Sequence, residues 1–136
     1  MTIADNKRLT ARGAEELFNN KDLSVIEDLF AVDFVDHSAP EGAAQGTDGQ
    51  RAKVAAFVSA FPDLHLSHSH QICQGDLVAG RYTLTGTHLG EFAGIAATGN
   101  SISLDGHDLL RVHDGKIVEH WTAMDTGELM RQLGVD

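Results

Sequence analysis

The sequence predicts an α+β fold in which N-terminal helices pack on one face of a strongly curved antiparallel sheet, as a cone closed over a pocket. Three observations carry this. Apolar residues repeat at helical spacing as far as Phe61, then switch to alternation. Pro62 stands at the switch and ends the last of the leading helices. The helical segments precede the strands, an order that gathers helices on one side of a sheet instead of between parallel strands. A chain of 136 residues is expected to form one domain, 1–136, with a core that needs neither disulfide nor metal.

The first helix is read from Leu9, Gly13 and Leu17 at steps of four, widened by Ala14 and Phe18, and interrupted at Asn19 and Asn20. Ser24 with Glu27 forms a capping-box pattern ahead of Val25, Ile26, Leu29 and Phe30, which predicts a short second helix. Turn residues collect between Asp36 and Gly49. Thr47 and Gln50 suggest a cap for the third helix, whose stripe is Val54, Phe57, Val58 and Phe61.

Strands follow. Between Leu64 and Cys73 one face takes Leu64, Leu66, His68, His70 and Ile72. After a Gly75-Asp76 turn, Val78, Tyr82, Leu84 and His88 share a face opposite Arg81, Thr83, Thr85 and Thr87. A loop over 90–100 leads to Ser101–Val112, where Ile102, Leu104, Leu110 and Val112 alternate with polar residues and Asp108 falls on the apolar face. The last strand runs from Lys116 to Met124, and Leu129, Met130 and Leu133 predict a closing helical turn.

Composition excludes several function classes. Ten Lys and Arg against twenty Asp and Glu give a net charge of -10, and the basic residues form no stripe, so no nucleic-acid partner is expected. The single Cys73 can form no internal disulfide and suits a reducing compartment. No window approaches the apolar length of a membrane span, and the polar start does not read as a signal peptide; a cytoplasmic protein without membrane contact is expected. The outer sheet face with Thr83, Thr85 and Trp121 could pair with another copy, giving a homodimer or higher homo-oligomer.

Candidate chemistry sits on the last hairpin. A three-residue bulged loop at His113-Asp114-Gly115 would pair 112 with 116 and set Asp108 directly opposite His120. A two-residue turn at Asp114-Gly115 would instead oppose Asp108 to Trp121 and send His120 outward. The bulged loop is favoured because Val118, His120, Thr122 and Met124 then join the apolar face. A carboxylate among apolar groups costs desolvation unless paired, and the pairing would raise the basicity of His120 and fix its tautomer. Such a pair can abstract a proton from carbon, or simply satisfy itself in the core. His68 and His70 share a face, but with no third ligand at definite spacing no metal is expected. Asp108 and His120 are the expected catalytic residues; Phe34, His37, Phe61, Tyr82, His88, Leu104, Thr122 and Met124 are the expected substrate-binding residues.

Three segments carry a family likeness: Phe61-Pro62-Asp63-Leu64-His65, the run from Leu84 to Phe92, and Asp114-Gly115-Lys116-Ile117-Val118-Glu119-His120-Trp121. Together they resemble the SnoaL-like polyketide cyclases, or ester cyclases, over nearly the whole chain. The resemblance implies the cone shared with ketosteroid isomerase and nuclear transport factor 2. It also implies a cofactor-free intramolecular aldol ring closure of a polyketide ester, with an acid/base carboxylate two residues after the histidine of the last strand. That histidine corresponds to His120, but the carboxylate position holds Thr122, so Asp108 is the residue that would supply the missing group. The expected activity is therefore a cyclase or isomerase acting on a small apolar carbonyl compound. An epoxide or ester hydrolase or hydratase, and a non-catalytic binding domain, are the alternatives.

Overall fold

The computed structural model describes residues 2–135. Helix α1 (Ile3–Arg12) opens with a capping box in which Asp5 N–H donates to Thr2 Oγ1 and Thr2 N–H donates to the Asp5 carboxylate. It continues directly into a π-helical segment, Gly13–Asn19. The expected stripe holds through both: Leu9, Gly13, Ala14 and Leu17 are buried.

The expected second helix is only partly there. A 3₁₀ turn (Leu23–Val25) and a single helical turn, α2 (Ile26–Leu29), are capped by the Asp22 carboxylate on Ser24 N–H, not by Ser24 with Glu27. Phe30 leaves the helix and begins strand β1 (Phe30–Asp36). This strand was not expected, because its apolar residues continue the helical spacing before it. Helix α3 (Gly46–Ala60) follows with no side-chain cap, so Thr47 and Gln50, both buried, serve elsewhere.

Strands β2 (His65–Gln74), β3 (Leu77–Thr87), β4 (Ser101–His113) and β5 (Lys116–Met124) form an antiparallel meander. The sheet order is β1-β5-β4-β3-β2, with β1 parallel to β5. Helix α4 (Thr126–Gln132) packs against β4, with Leu129 and Leu133 buried. No helix among the described residues is long and apolar enough to cross a membrane.

Two one-residue irregularities decide which side chains face inward, because strand side chains alternate. In β2, His68 pairs with Tyr82 but His70 pairs with Arg81, so Ser69 is extra. Beyond it the parity reverses: His68 faces in, whereas His70 and Ile72 are exposed, contrary to the face expected for them.

In β5, Arg111 pairs with Glu119 but Val112 with Ile117, leaving Val118 extra. The hairpin itself is the two-residue turn, with Asp114 at φ 49 and Gly115 at φ 75, as a type I′ turn requires. The bulge at Val118 then restores His120 to the inner face. Asp108 lies opposite Thr122, and His120 opposite Leu110. The expected direct opposition of Asp108 and His120 is thus corrected by one pair.

The core forms two clusters. One gathers Leu17, Ile26, Leu29, Phe34, Val54 and Ile117 at the β1 end; the other gathers Phe61, Leu64, Leu84, Leu104 and Leu129 toward α4. Phe18 packs against both. Phe57 and Leu110, expected in the core, are only partly buried because they border a cavity.

Candidate active site

A cavity of about 140 Å³ lies between the helices and the hollow face of the sheet. Its walls are mostly apolar, with Phe18, Phe57, Leu66 and Leu84 among them, and its polar groups come from α1, α3, β2, β3, β4 and β5. Asp108, His120, Tyr82, Thr122 and Met124 line it as expected from sequence.

The other expected wall residues lie elsewhere. Phe34 is 1% exposed in the core, with its ring stacked 6.5 Å from that of His120. Phe61 and Leu104 belong to the second core cluster. His88 is wholly buried beside Phe61, its Nδ1 accepting from Thr98 N–H at the base of the 90–100 loop. His37 sits outside, stacked on Trp121 and bonded to Glu119.

Asp108 does not hydrogen-bond His120. Its Oδ2 lies 3.2 Å from His68 Nε2 on β2, two strands away. The carboxylate reaches across Gly80, the residue paired with it on β3; a Cβ there would sit 2.6 Å from Asp108 Oδ1. Oδ1 is buried and has no hydrogen-bond partner among the described residues.

A matching crossing runs the other way. Tyr82 reaches over Gly106 to bond Thr122 Oγ1 at 2.9 Å, and a Cβ on Gly106 would meet the ring at 2.4 Å. Thr122 Oγ1 in turn donates to His107 O at 3.3 Å. Burial raises the Tyr82 pKa, and nearby Asp108 adds to this, while the Thr122 bond opposes it.

His120 has a different carboxylate. Its Nδ1 lies 3.7 Å from Asp36 Oδ1, beyond hydrogen-bond length but close enough to favour the proton on Nδ1. Asp36 is held on all sides: Lys53 Nζ donates to Oδ2 at 3.0 Å, Ser38 N–H donates to Oδ1 at 3.0 Å, and Gln45 brackets its backbone. Burial pushes the Asp36 pKa up, but Lys53, the Ser38 bond and His120 outweigh it and hold the carboxyl below its usual range. Burial and the Lys53 ammonium push His120 down to about 4, against the pull of Asp36 and Asp108, so the imidazole is neutral at pH 7.

Sequence reasoning missed Asp36, Lys53 and His68. Two strand-interior glycines, Gly80 and Gly106, were the available signal, since such glycines mark close approach of another group. His68 and His70 do not share a face, and no group of three or more His, Cys, Asp or Glu side chains among the described residues is placed to hold a metal.

An α+β domain with helices packed on a curled five-stranded sheet is the architecture of the nuclear transport factor 2-like superfamily, which the solved neighbours of this chain share. Within it, residues 8–133 match the SnoaL-like polyketide cyclases, and the chain belongs to that family. Among solved structures, TsrD from Streptomyces laurentii superposes with a TM-score of 0.92 at 26% identity, covering 100% of this chain and 99% of TsrD. IdmH from Streptomyces antibioticus, provisionally described as a polyketide cyclase, is 34% identical with a TM-score of 0.81, covering 96% and 99%. AclR from Streptomyces galilaeus, provisionally described as a hydroxylase, is 33% identical with a TM-score of 0.84, covering 98% of each chain. No curated protein matches the chain.

Proposed function

We propose that the protein is a cofactor-independent cyclase or isomerase that moves a proton next to a carbonyl, with intramolecular aldol ring closure as its reaction. One observation carries this reading: among the described residues, the Asp108 carboxylate faces an apolar cavity with a single hydrogen bond, to His68, and a second oxygen left without a partner. Buried charges are ordinarily saturated with partners, and one that is not is a group poised to accept a proton.

In the proposed reaction Asp108 takes a proton from the carbon beside a carbonyl, and the bonding pair passes to that carbonyl oxygen as an enolate. The enolate carbon attacks a second carbonyl of the same molecule. A carbon–carbon bond forms, and the resulting alkoxide takes the proton back from Asp108, which restores the carboxylate. Lys53, whose ammonium has protons beyond the one given to Asp36, is the donor at the wall that would steady the oxygen charge. His120, neutral and with Nδ1 turned to Asp36, offers Nε2 as an acceptor that orients the substrate. His68 positions Asp108.

A second reading has its own observation. Thr122 stands opposite Asp108 and bonds Tyr82, so a hydroxyl pair occupies the position where the resemblance implies a carboxylate. Such a pair could hold a water beside Asp108 for opening an epoxide or ester. AclR's description adds hydroxylated products to those worth seeking.

The test is a turnover assay on polyketide esters, epoxides and β-keto compounds, with melting curves alongside. Asp108→Asn keeps the shape and removes the base; activity should fall by roughly 10² to 10⁴ with the melting temperature little changed. Full activity in a folded Asp108→Asn variant removes Asp108 from the mechanism. Hydrolysed or hydrated products in place of ring-closed ones select the second reading.

A further inference from the structure

Most interior glycines of this fold are closely approached by a neighbour. A Cβ at Gly80, Gly86, Gly90 or Gly106 would approach a neighbour to 3.0 Å or closer. Gly13 is different. It is buried, helical at φ -58, and a Cβ there would meet nothing within 4 Å. Glycine in a helix interior is less stable than alanine, and here neither a close contact nor a positive φ compensates. The empty space over Gly13 belongs to the cavity it lines.

Gln50, on the wall of the same cavity, points to an occupant for that space. It is 5% exposed, and its Oε1 has no hydrogen-bond partner among the described residues. A buried amide oxygen without a donor costs its desolvation, and a donor carried by a ligand would recover it.

We infer that Gly13 and Gln50 set the specificity of the cavity, Gly13 leaving room for a flat ring and Gln50 Oε1 accepting a hydrogen bond from a hydroxyl on that ring. This deepens the proposed function in that it rests on the cavity being a ligand site; it does not depend on Asp108 transferring a proton.

Two unreactive probes of matched shape test it: 2-naphthol and 2-methylnaphthalene, titrated calorimetrically into the parent and three variants. The parent should prefer 2-naphthol by roughly tenfold, the worth of one hydrogen bond to a buried acceptor. Gln50→Met should abolish that preference while leaving 2-methylnaphthalene binding unchanged. Gly13→Leu should weaken both probes tenfold or more. Gly13→Ala should raise the melting temperature by a few degrees, because the fold gains a better helix former.

A lower melting temperature for Gly13→Ala would make the glycine structural and overturn its role. So would unchanged probe affinity in a folded Gly13→Leu variant; if that variant does not fold, unchanged affinity in Gly13→Ala decides the same way. A retained naphthol preference in Gln50→Met, or a parent that binds neither probe at millimolar concentration, overturns the subsite. Since neither probe reacts, an active Asp108→Asn enzyme would sink the proton-transfer mechanism and leave these results standing.

Discussion

Two carboxylate–imidazole pairs meet at one cavity, which His120, His68 and Asp108 line and Asp36 does not, and they are built in opposite ways. Asp36, beside His120, accepts from Lys53 and from Ser38 N–H, and its strand is fixed by Gln45. Asp108, beside His68, has one hydrogen bond among the described residues and an oxygen with none. Both carboxylates are about equally hidden, each side chain being 11% exposed. Burial therefore does not distinguish them; satisfaction does. A saturated carboxylate stabilises and positions, whereas an under-satisfied one retains capacity for a ligand or a proton.

Acidification should give the largest effect on stability. His120 in the folded state titrates at about 4, below its ordinary 6.5. As pH falls from 6.5 toward 4, the unfolded chain takes up a proton that the folded one refuses, so stability is full above pH 6.5 and declines through this window. The shift corresponds to about 3 kcal/mol. Urea unfolding of the parent between pH 7 and 4 measures this slope, and His120→Asn should flatten it. An identical slope in the variant would mean that His120 is not held neutral.

Asp36→Asn comes next and separates the two pairs. It leaves Lys53 beside an uncharged amide and should cost about 2 kcal/mol of stability. Turnover by the folded fraction should fall less than tenfold. A variant that melts like the parent but is inactive would reverse the roles assigned to Asp36 and Asp108.

Smallest is Gly80→Ala. Its Cβ displaces only the end of the Asp108 side chain and the edge of His68, so about 1 kcal/mol of strain is expected. Turnover should drop more than stability, since the carboxylate loses its place against His68. Parallel melting and rate measurements would show whether the two fall together, which would contradict a positioning role for the crossing.

The parts legible in the sequence are those governed by local periodicity. The stripe Leu9, Leu17 and Ala14, the alternation of Val78, Tyr82 and Leu84, and that of Ile102 and Leu104 all face the core as read. What escaped depends on single-residue insertions and on contacts between distant segments. Ser69 and Val118 each slip a strand by one residue, and no residue type announces a bulge there. Two departures from the expected register, the two-residue turn and the Val118 bulge, together returned His120 to the cavity. Asp36 and Lys53 join His120 only because β1 adds in parallel to β5, across more than 80 residues of chain. The π-helical turn that brings Gly13, Ala14 and Phe18 to the cavity has no pattern distinct from the α-helix it extends.

The central claim, that Asp108 removes a proton from carbon beside a carbonyl, is tested most directly by deuterium wash-in. A β-keto ester bound by the protein is incubated in D₂O, and loss of its exchangeable carbon-bound proton signal is followed by NMR against the uncatalysed rate. Parent protein and folded Asp36→Asn should both accelerate exchange, whereas Asp108→Asn should return the rate to background. Equal acceleration by the parent and by Asp108→Asn would contradict the account.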